Sequence, residues 1–235
     1  MRAAVLIAGN FVRENRWPVA ILLIWGLISG SAGVVLAGHS QEDALFFLKQ
    51  QAMYSVFFTV FLASSALHNQ RRTRRILAVL SKGIERYEYL GGIALGYSAV
   101  GFVYATSLGV TGVFTFQRAG ADAWILLPLL LMLLIASVLA GTVALFFSTF
   151  MPPLLALAAT SMVLGTSAIV NGVLGHNAPA LVPFYQLISA VSEFSLQQES
   201  AMPWQASAWA VIEIFAFWAA ASIVFARRDV AVPVE

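Results

Sequence analysis

The run AWILLPLLLMLLIASVLAGTVALFFST, residues 123–149, decides the fold class of this chain. It contains no Asp, Glu, Lys or Arg. It is also longer than the ~20 apolar residues that a helix, rising ~1.5 Å per residue, needs to cross a ~30 Å hydrocarbon core. The run therefore predicts a helix that crosses a bilayer.

Similar apolar runs lie on both sides of this one. The charge-free stretch from Ala123 to Ser192 is too long for one helix, and Met151-Pro152-Pro153 divides it, because tandem prolines end one helix and begin the next. Six runs in all are long enough to span. The predicted spans are 17–37, 45–67, 89–116, 123–149, 153–174 and 204–226.

The composition of the whole chain agrees with a membrane location. Hydrophobic residues make up 60% and charged residues 10%, whereas soluble domains have roughly 45–50% and about 25%. The formal charge of +2 argues against a nucleic-acid partner, and the lack of cysteine excludes disulfides and thiolate sites. We predict an all-α polytopic integral membrane protein whose residues 1–235 form a single transmembrane domain.

The distribution of Lys and Arg predicts the orientation, because these residues are enriched in cytoplasmic loops. With six spans, only Lys49 and Arg118 of the thirteen basic residues fall on the outer side. An odd number of spans would place the basic tail outside. We therefore expect both termini to be cytoplasmic. The basic residues on that side are Arg2, Arg13, Arg16, Arg71, Arg72, Arg74, Arg75, Lys82, Arg86, Arg227 and Arg228.

Two stretches outside the spans have a recognisable character. Residues 1–16 mix apolar side chains with three arginines, which is typical of an amphipathic helix lying in the membrane interface. Residues 175–203 contain three prolines and are too short and broken for a helical hairpin of full spans. We expect an ordered outer segment there, either re-entrant or interfacial, and a seventh span is the main alternative.

Several catalytic and binding motifs are missing from the sequence. There is no G-x-x-x-x-G-K-[ST], so this chain does not bind ATP through a P-loop, and there is no H-E-x-x-H or G-x-S-x-G. His39, His68 and His176 fall in three different loops, which excludes a metal site made of all three. We expect no enzyme active site and no metal; an intramembrane enzyme stays open but lacks an acid–base pair.

The segment between the second and third spans has a helical pattern of its own. Ile76, Leu80, Ile84 and Tyr87 recur at helical spacing, and the charged residues lie largely off this stripe. The pattern predicts an amphipathic cytoplasmic helix over 70–88. On periodicity and charge alone, the simpler interpretation is a basic anchor resting on anionic lipid.

The run TRRILAVLSKGIERYEYLGG, residues 73–92, resembles the cytoplasmic loop of ABC-2 type transporter permeases. In that family an apolar helix led by Thr ends in a Leu-Ser-x-Pro-apolar-x-Arg-x-Glu pattern, followed by two apolar residues and Gly-Lys, just before the third span. Gly83 stands at the position of the family's Pro, and Gly92 at that of its Lys. The six-span layout and the tail Arg227-Arg228-Asp229 are also similar. The matching residues are Thr73, Ser81, Ile84, Arg86, Glu88 and Gly91.

This resemblance implies a permease subunit that forms the translocation path of an exporter in the bacterial inner membrane. A separate cytoplasmic ATPase subunit would bind ATP and Mg²⁺, so no cofactor is expected in this chain. Two permease chains, identical or related, would pair within the lipid. The residues implied to couple to the ATPase are Thr73, Ile76, Leu80, Ser81, Gly83, Ile84, Arg86 and Glu88.

Glu213 is the one ionisable group predicted deep within a span. A charged carboxylate there costs ~2.5–3.5 kcal/mol, so Glu213 should face protein or water. Two interpretations stay open: a contact for substrate or protons on the pathway, or a protonated carboxyl bonded to a neighbouring helix. Small residues on the same helical face predict close packing there. That face holds Ala206, Trp209, Ala216 and Ala220.

Two further motifs and two rival functions complete the predictions. Gly26-x-x-x-Gly30 and Gly92-x-x-x-Gly96 are close-packing motifs, and packing within one subunit is a simpler interpretation than a dimer seam. The first rival function is a secondary transporter or channel driven by an ion gradient through Glu213. The second is a membrane scaffold that transports nothing.

Overall fold

A computed structural model of the chain describes residues 2–36, 41–72, 76, 83–118, 122, 124, 126–174, 182–194 and 202–227. Eight helices have their bounds within these residues, and no strand occurs among them, which confirms the all-α prediction. In chain order they are α1 (Arg2–Glu14), α2 (Arg16–Leu36), α3 (Gln41–Arg72), α4 (Arg86–Arg118), α5 (Leu126–Ser148), α6 (Pro153–Leu174), α7 (Pro183–Glu193) and α8 (Trp204–Arg227).

Six of these helices are long and apolar enough to cross a membrane, as expected of a multi-pass membrane protein. The predicted number of six is therefore confirmed for the part of the chain that the structure describes. Helix α7 lies within the predicted outer segment 175–203 and has only 11 residues, too few for a seventh span. The six candidate spans are Arg16–Val35, Leu45–Gln70, Arg86–Arg118, Leu126–Ser148, Pro153–Val173 and Trp204–Arg227.

Helix α5, which contains most of the apolar run 123–149, lies at the centre of the bundle. It packs against α3, α4, α6, α7 and α8. Ala136, Ala140 and Ala144 are fully buried along it, and such small side chains let neighbouring helices approach closely. In its apolar stretch 67% of the residues are buried, against 17% in α8 and 11% in α6. The latter two helices therefore form much of the outer surface.

Helix α1 packs across α4 through two glycines. A Cβ at Gly92 would lie 2.6 Å from the Cβ of Ile7, and one at Gly96 would lie 2.6 Å from Cδ1 of Phe11. Both distances are too short for any side chain, so glycine is needed at each position for α1 to sit this close. The Gly92-x-x-x-Gly96 motif thus joins two parts of one chain, as the simpler interpretation predicts.

The other glycine motif also packs within the chain. A Cβ at Gly26 would lie 3.0 Å from the ring of Tyr104, and one at Gly30 would lie 2.6 Å from Cγ2 of Thr111. Helix α2 is thereby held against the middle of α4. We call the end of the bundle that carries α1, the start of α4 and the end of α8 the terminal end.

Candidate functional site

The segment before α4 differs from the predicted helix over 70–88. Residues 70–72 continue α3, and 83–85 are not helical. The physical reason is Gly83, whose φ of 75° lies in the left-handed region that interrupts a helix. Ile76 is helical and fully buried in the core. Thr73, Leu80 and Ser81 lie outside the described residues.

Arg86 joins the beginning of α4 to the end of α8. Its Nη1 donates hydrogen bonds to the backbone carbonyls of Phe225, at 2.9 Å, and Ala226, at 2.8 Å. The last carbonyls of a helix have no partner within that helix and carry the negative end of its dipole. A guanidinium is therefore well suited to bind them. We call this arrangement the Arg86 clamp.

Aromatic contacts reinforce the Arg86 clamp. The guanidinium carbon of Arg86 lies 5.9 Å from the centre of the Phe225 ring. Tyr89, one turn further along α4, stacks on the same ring with centroids 6.2 Å apart and planes 16° apart. Phe225 is fully buried. The ends of the third and sixth spans are thus fixed to each other by both polar and apolar contacts.

An open cleft of about 640 Å³ lies beside the Arg86 clamp. Ile84 and Arg86, two residues that the resemblance assigns to coupling, line it together with the exposed Glu85 and Tyr87. The cleft therefore presents an accessible edge of the motif at the terminal end. Its other wall comes from α8 through Ser222, Ile223 and Ala226.

Glu88 lies on a different surface, a lateral groove of about 420 Å³ formed by α1, α4, α5 and α8. The walls of the groove are mostly apolar. The hydroxyl groups of Tyr97 and Thr142 share a hydrogen bond of 2.8 Å in its wall. The Nε1–H of Trp218 has no hydrogen-bond partner among the described residues. The groove thus offers mainly apolar contact, and the unpaired Trp218 N–H is buried within its wall.

Glu213 is half-buried on α8, and no hydrogen bond joins its carboxylate to any residue that the structure describes. The predicted close-packed face around it is wrong in part. Ala206 is buried, but Ala216 and Trp209 are exposed. The buried face of α8 instead contains Ala206, Ser207, Ala210, Ala221 and Phe225.

Among the described residues, those predicted for function lie on different surfaces. Arg86 and Ile84 line the terminal-end cleft, Glu88 lines the lateral groove, and Glu213 lines neither. Sequence reasoning missed Phe225, which both Arg86 and Tyr89 contact. The one available signal was its place near the end of the last span, where an aromatic belt is expected.

The described residues contain no group of three His, Asp or Glu side chains placed to hold a metal ion. What they offer is a polar clamp at the terminal end, an accessible cleft next to it and an apolar groove along the side. The cleft and the groove are surfaces that could bind a partner or ligand, and the clamp links two helices mechanically. No protein-family model, curated protein or solved structure matches this chain.

Proposed function

We propose that this chain is the transmembrane permease subunit of an ATP-driven ABC-2 type transporter, acting as an exporter. It would form the translocation path in a bacterial inner membrane, with both termini in the cytoplasm. A separate ATPase subunit would bind ATP and Mg²⁺ and hydrolyse the nucleotide. The motif in residues 73–92 and the six apolar helices support this proposal.

The observation that carries the proposal is the Arg86 clamp. Arg86 belongs to the motif that resembles the family's coupling loop, and it binds the last carbonyls of α8. A force applied to the segment just before α4 would therefore act on the third and sixth spans together. A subunit that transmits motion from an ATPase to its membrane helices needs a linkage of this kind.

The uneven burial of the helices supports pairing with a second permease chain. Only 11% of the residues in the apolar stretch of α6 are buried, and a Cβ added at Gly165 or Gly172 would contact nothing within 4 Å. Small residues on a lipid-facing helix allow another helix to approach closely. A second copy, or a related chain, would complete a path that one bundle only half encloses.

The test is a search for a P-loop ATPase of the ABC class encoded next to this chain, followed by co-expression of the two proteins. We expect the two proteins to co-purify from detergent and the membrane subunit to alter the ATPase rate. Tyr87→Glu, at an exposed position of the terminal end, should weaken the association. Trp124→Glu places the same charge on an exposed aromatic at the opposite end and should have no effect. No association, or equal loss in both variants, would contradict the proposal.

A second candidate is transport driven by an ion gradient, and the half-buried Glu213 is the observation that favours it. A carboxyl group inside a span is by default a candidate for carrying protons. Purified protein in vesicles without ATP, under an imposed pH gradient, separates the two mechanisms. Substrate movement under these conditions that is lost in Glu213→Gln would replace the ATP-driven proposal.

A further inference from the structure

A second cleft at the terminal end has an unusually polar lining. It measures about 770 Å³ and lies between α1, the start of α2 and the end of α3. Of the residues that the structure describes, those lining this cleft belong neither to the motif nor to the Arg86 clamp. The described lining residues are Asn10, Phe11, Arg13, Glu14, Asn15, Arg16, Trp17, Ala66, Asn69 and Gln70. We call it the Arg13 cleft.

The junction between α1 and α2 lies along one side of this cleft. Pro18 has no N–H to donate to the carbonyl four residues before it, which weakens the helix at that point. The side chain of Asn15 donates to the backbone carbonyl of Phe11 at 2.9 Å, beside the backbone N–H of Asn15 at 3.1 Å, and the backbone carbonyl of Asn15 accepts from the N–H of Val19 at 3.0 Å. Helix α1 ends at Glu14 and α2 begins at Arg16, while Phe11 packs α1 against Gly96 of α4. A space facing α3 is left open.

The chemistry of the Arg13 cleft suits an anionic oxygen group. Arg13 and Arg16 supply guanidinium groups, which bind phosphate oxygens in a planar, two-pronged geometry. The carboxamide group of Asn10 adds a neutral donor. Among the described lining residues Glu14 is the one acid, so Arg13, Arg16 and Glu14 together carry a net charge of +1.

The position of the Arg13 cleft corresponds to the headgroup level of a bilayer. Trp17 is 69% exposed, and the guanidinium carbon of Arg16 lies 5.7 Å from its ring centre. Exposed Trp beside Arg at the end of a span is typical of a membrane interface. The cleft lies where the chain enters the membrane, because α2 is a candidate span that starts at Arg16.

The surface next to the cleft is apolar and exposed. Ile21 follows Trp17 by about one helical turn of ~5.4 Å along α2, and Trp25 follows by another. The side chains of Ile21 and Trp25 are 65% and 51% exposed, and that of Phe61 on α3 is 45% exposed. Helices α2 and α3 pack against each other, and the ring centre of Trp25 lies 6.4 Å from that of the exposed Tyr54 of α3, so exposed side chains of both helices share a surface. An acyl chain leaving the cleft would lie along it.

We propose that the Arg13 cleft binds the phosphodiester headgroup of an anionic phospholipid, whose acyl chains lie on the exposed apolar surface of α2 and α3. The combination of arginines at headgroup level with an apolar continuation fits a lipid better than a soluble phosphate. The proposal rests on the six candidate spans lying in a membrane. It does not depend on the proposed transporter function.

The experiment titrates detergent-purified full-length protein with phosphatidylglycerol and, separately, phosphatidylcholine, and counts bound lipids by native mass spectrometry. We expect saturable phosphatidylglycerol binding. Arg13→Gln/Arg16→Gln should weaken it roughly 25-fold, about fivefold for each charge removed. Arg118→Gln is the matched control, because that arginine lies at the opposite end of the bundle. It should change the dissociation constant less than about twofold.

Asn10→Trp provides a variant that retains every charge. Asn10 is exposed on α1 and lines the cleft, so an indole there would fill the space without disturbing the core. We expect phosphatidylglycerol binding to be lost in this variant while its elution volume on gel filtration is unchanged. Loss in both Asn10→Trp and the double arginine variant would confirm the site.

Three results would overturn the proposal. Equal binding of phosphatidylcholine would show that the arginines do not select a net negative charge. Competition by inorganic phosphate at the same concentration as lipid would identify a soluble anion as the ligand. Unchanged phosphatidylglycerol binding in Asn10→Trp would place the bound lipid elsewhere on the protein.

Discussion

Replacing Arg86 with Met tests the linkage between the third and sixth spans. Methionine keeps an unbranched apolar stem but cannot donate to the carbonyls of Phe225 and Ala226, which Arg86 binds at 2.9 and 2.8 Å. Those carbonyls then depend on water or on other donors. The substitution also removes the guanidinium from the ring of Phe225.

The expected magnitude comes from the two hydrogen bonds that the substitution removes. Hydrogen bonds that involve a charged group contribute about 1.5–3 kcal/mol each. The partly buried bond to Phe225 takes the lower end, about 1.5 kcal/mol, and the solvent-exposed bond to Ala226 adds only about 0.5 kcal/mol. We expect the free energy of unfolding to fall by about 2 kcal/mol, which corresponds to roughly 4–8 °C in Tm for a chain of this size. The Tm of Arg86→Lys should lie between those of the native chain and Arg86→Met, because lysine keeps the positive charge but lacks the planar guanidinium with its several N–H donors.

The assay is thermal unfolding in detergent, followed by intrinsic tryptophan fluorescence. Arg118→Met is the matched control, since Arg118 ends the same helix and reaches a carbonyl of α2, that of Val34, at only 3.4 Å. A bond this long and exposed should contribute below about 0.5 kcal/mol. If Arg86→Met and Arg118→Met unfold at the same temperature, the Arg86 clamp does not hold α4 to α8.

Three further predictions concern packing, the buried acid and oligomer formation. Gly96→Ala should lower the free energy of unfolding by about 1–3 kcal/mol, because the new Cβ would lie 2.6 Å from the ring of Phe11. Gly165→Ala should raise it by about 0.5–1 kcal/mol, because a Cβ there would contact nothing within 4 Å and alanine favours helix over glycine. Chemical denaturation measures both changes. Glu213→Met should favour membrane insertion of α8 by about 2.5 kcal/mol in an insertion assay, and equal insertion would mean that the carboxyl is hydrated. Since the chain has no cysteine, Ser161→Cys on α6 should give disulfide-linked dimers, and the exposed Phe102→Cys on α4 should not; monomers alone would exclude pairing through α6.

The spans could be predicted because apolar length by itself identifies a helix that crosses a membrane. The residues at which the helices end could not be predicted in the same way. Helix α3 extends from Gln41 to Arg72, beyond the predicted 45–67, because a helix continues into water as long as its polar residues favour helix and no glycine or proline interrupts it. Gly83, with its positive φ, is the residue that separates the connecting segment from α4. The periodic pattern predicted one helix across it, whereas residues 83–85 are not helical.

The partners of the candidate site were out of reach for a different reason. Arg86 binds backbone carbonyls, and any residue at the end of α8 would offer the same atoms, so no side-chain pattern indicates the pairing. The prediction of a close-packed face around Glu213 was wrong in part because α8 is apolar on nearly all sides. A helix of that kind has no hydrophobic periodicity from which a buried side can be deduced. The glycines of α4 did indicate close packing, yet nothing in the sequence identified Ile7 and Phe11 as the side chains that fill them.

The contacts at the terminal end divide the bundle into parts with different freedom. Helix α1 is fixed to α4 by the approach of Phe11 to Gly96, and α4 is fixed to α8 by the Arg86 clamp. These three elements are distant in sequence, yet a displacement of residues 83–85 would move them together. Helix α6 has no comparable anchor in its apolar stretch, where 11% of the residues are buried. Under the proposed function, transmitted motion would therefore carry α1, α4 and α8 as a unit relative to α6, which is where a path shared with a second chain would change width.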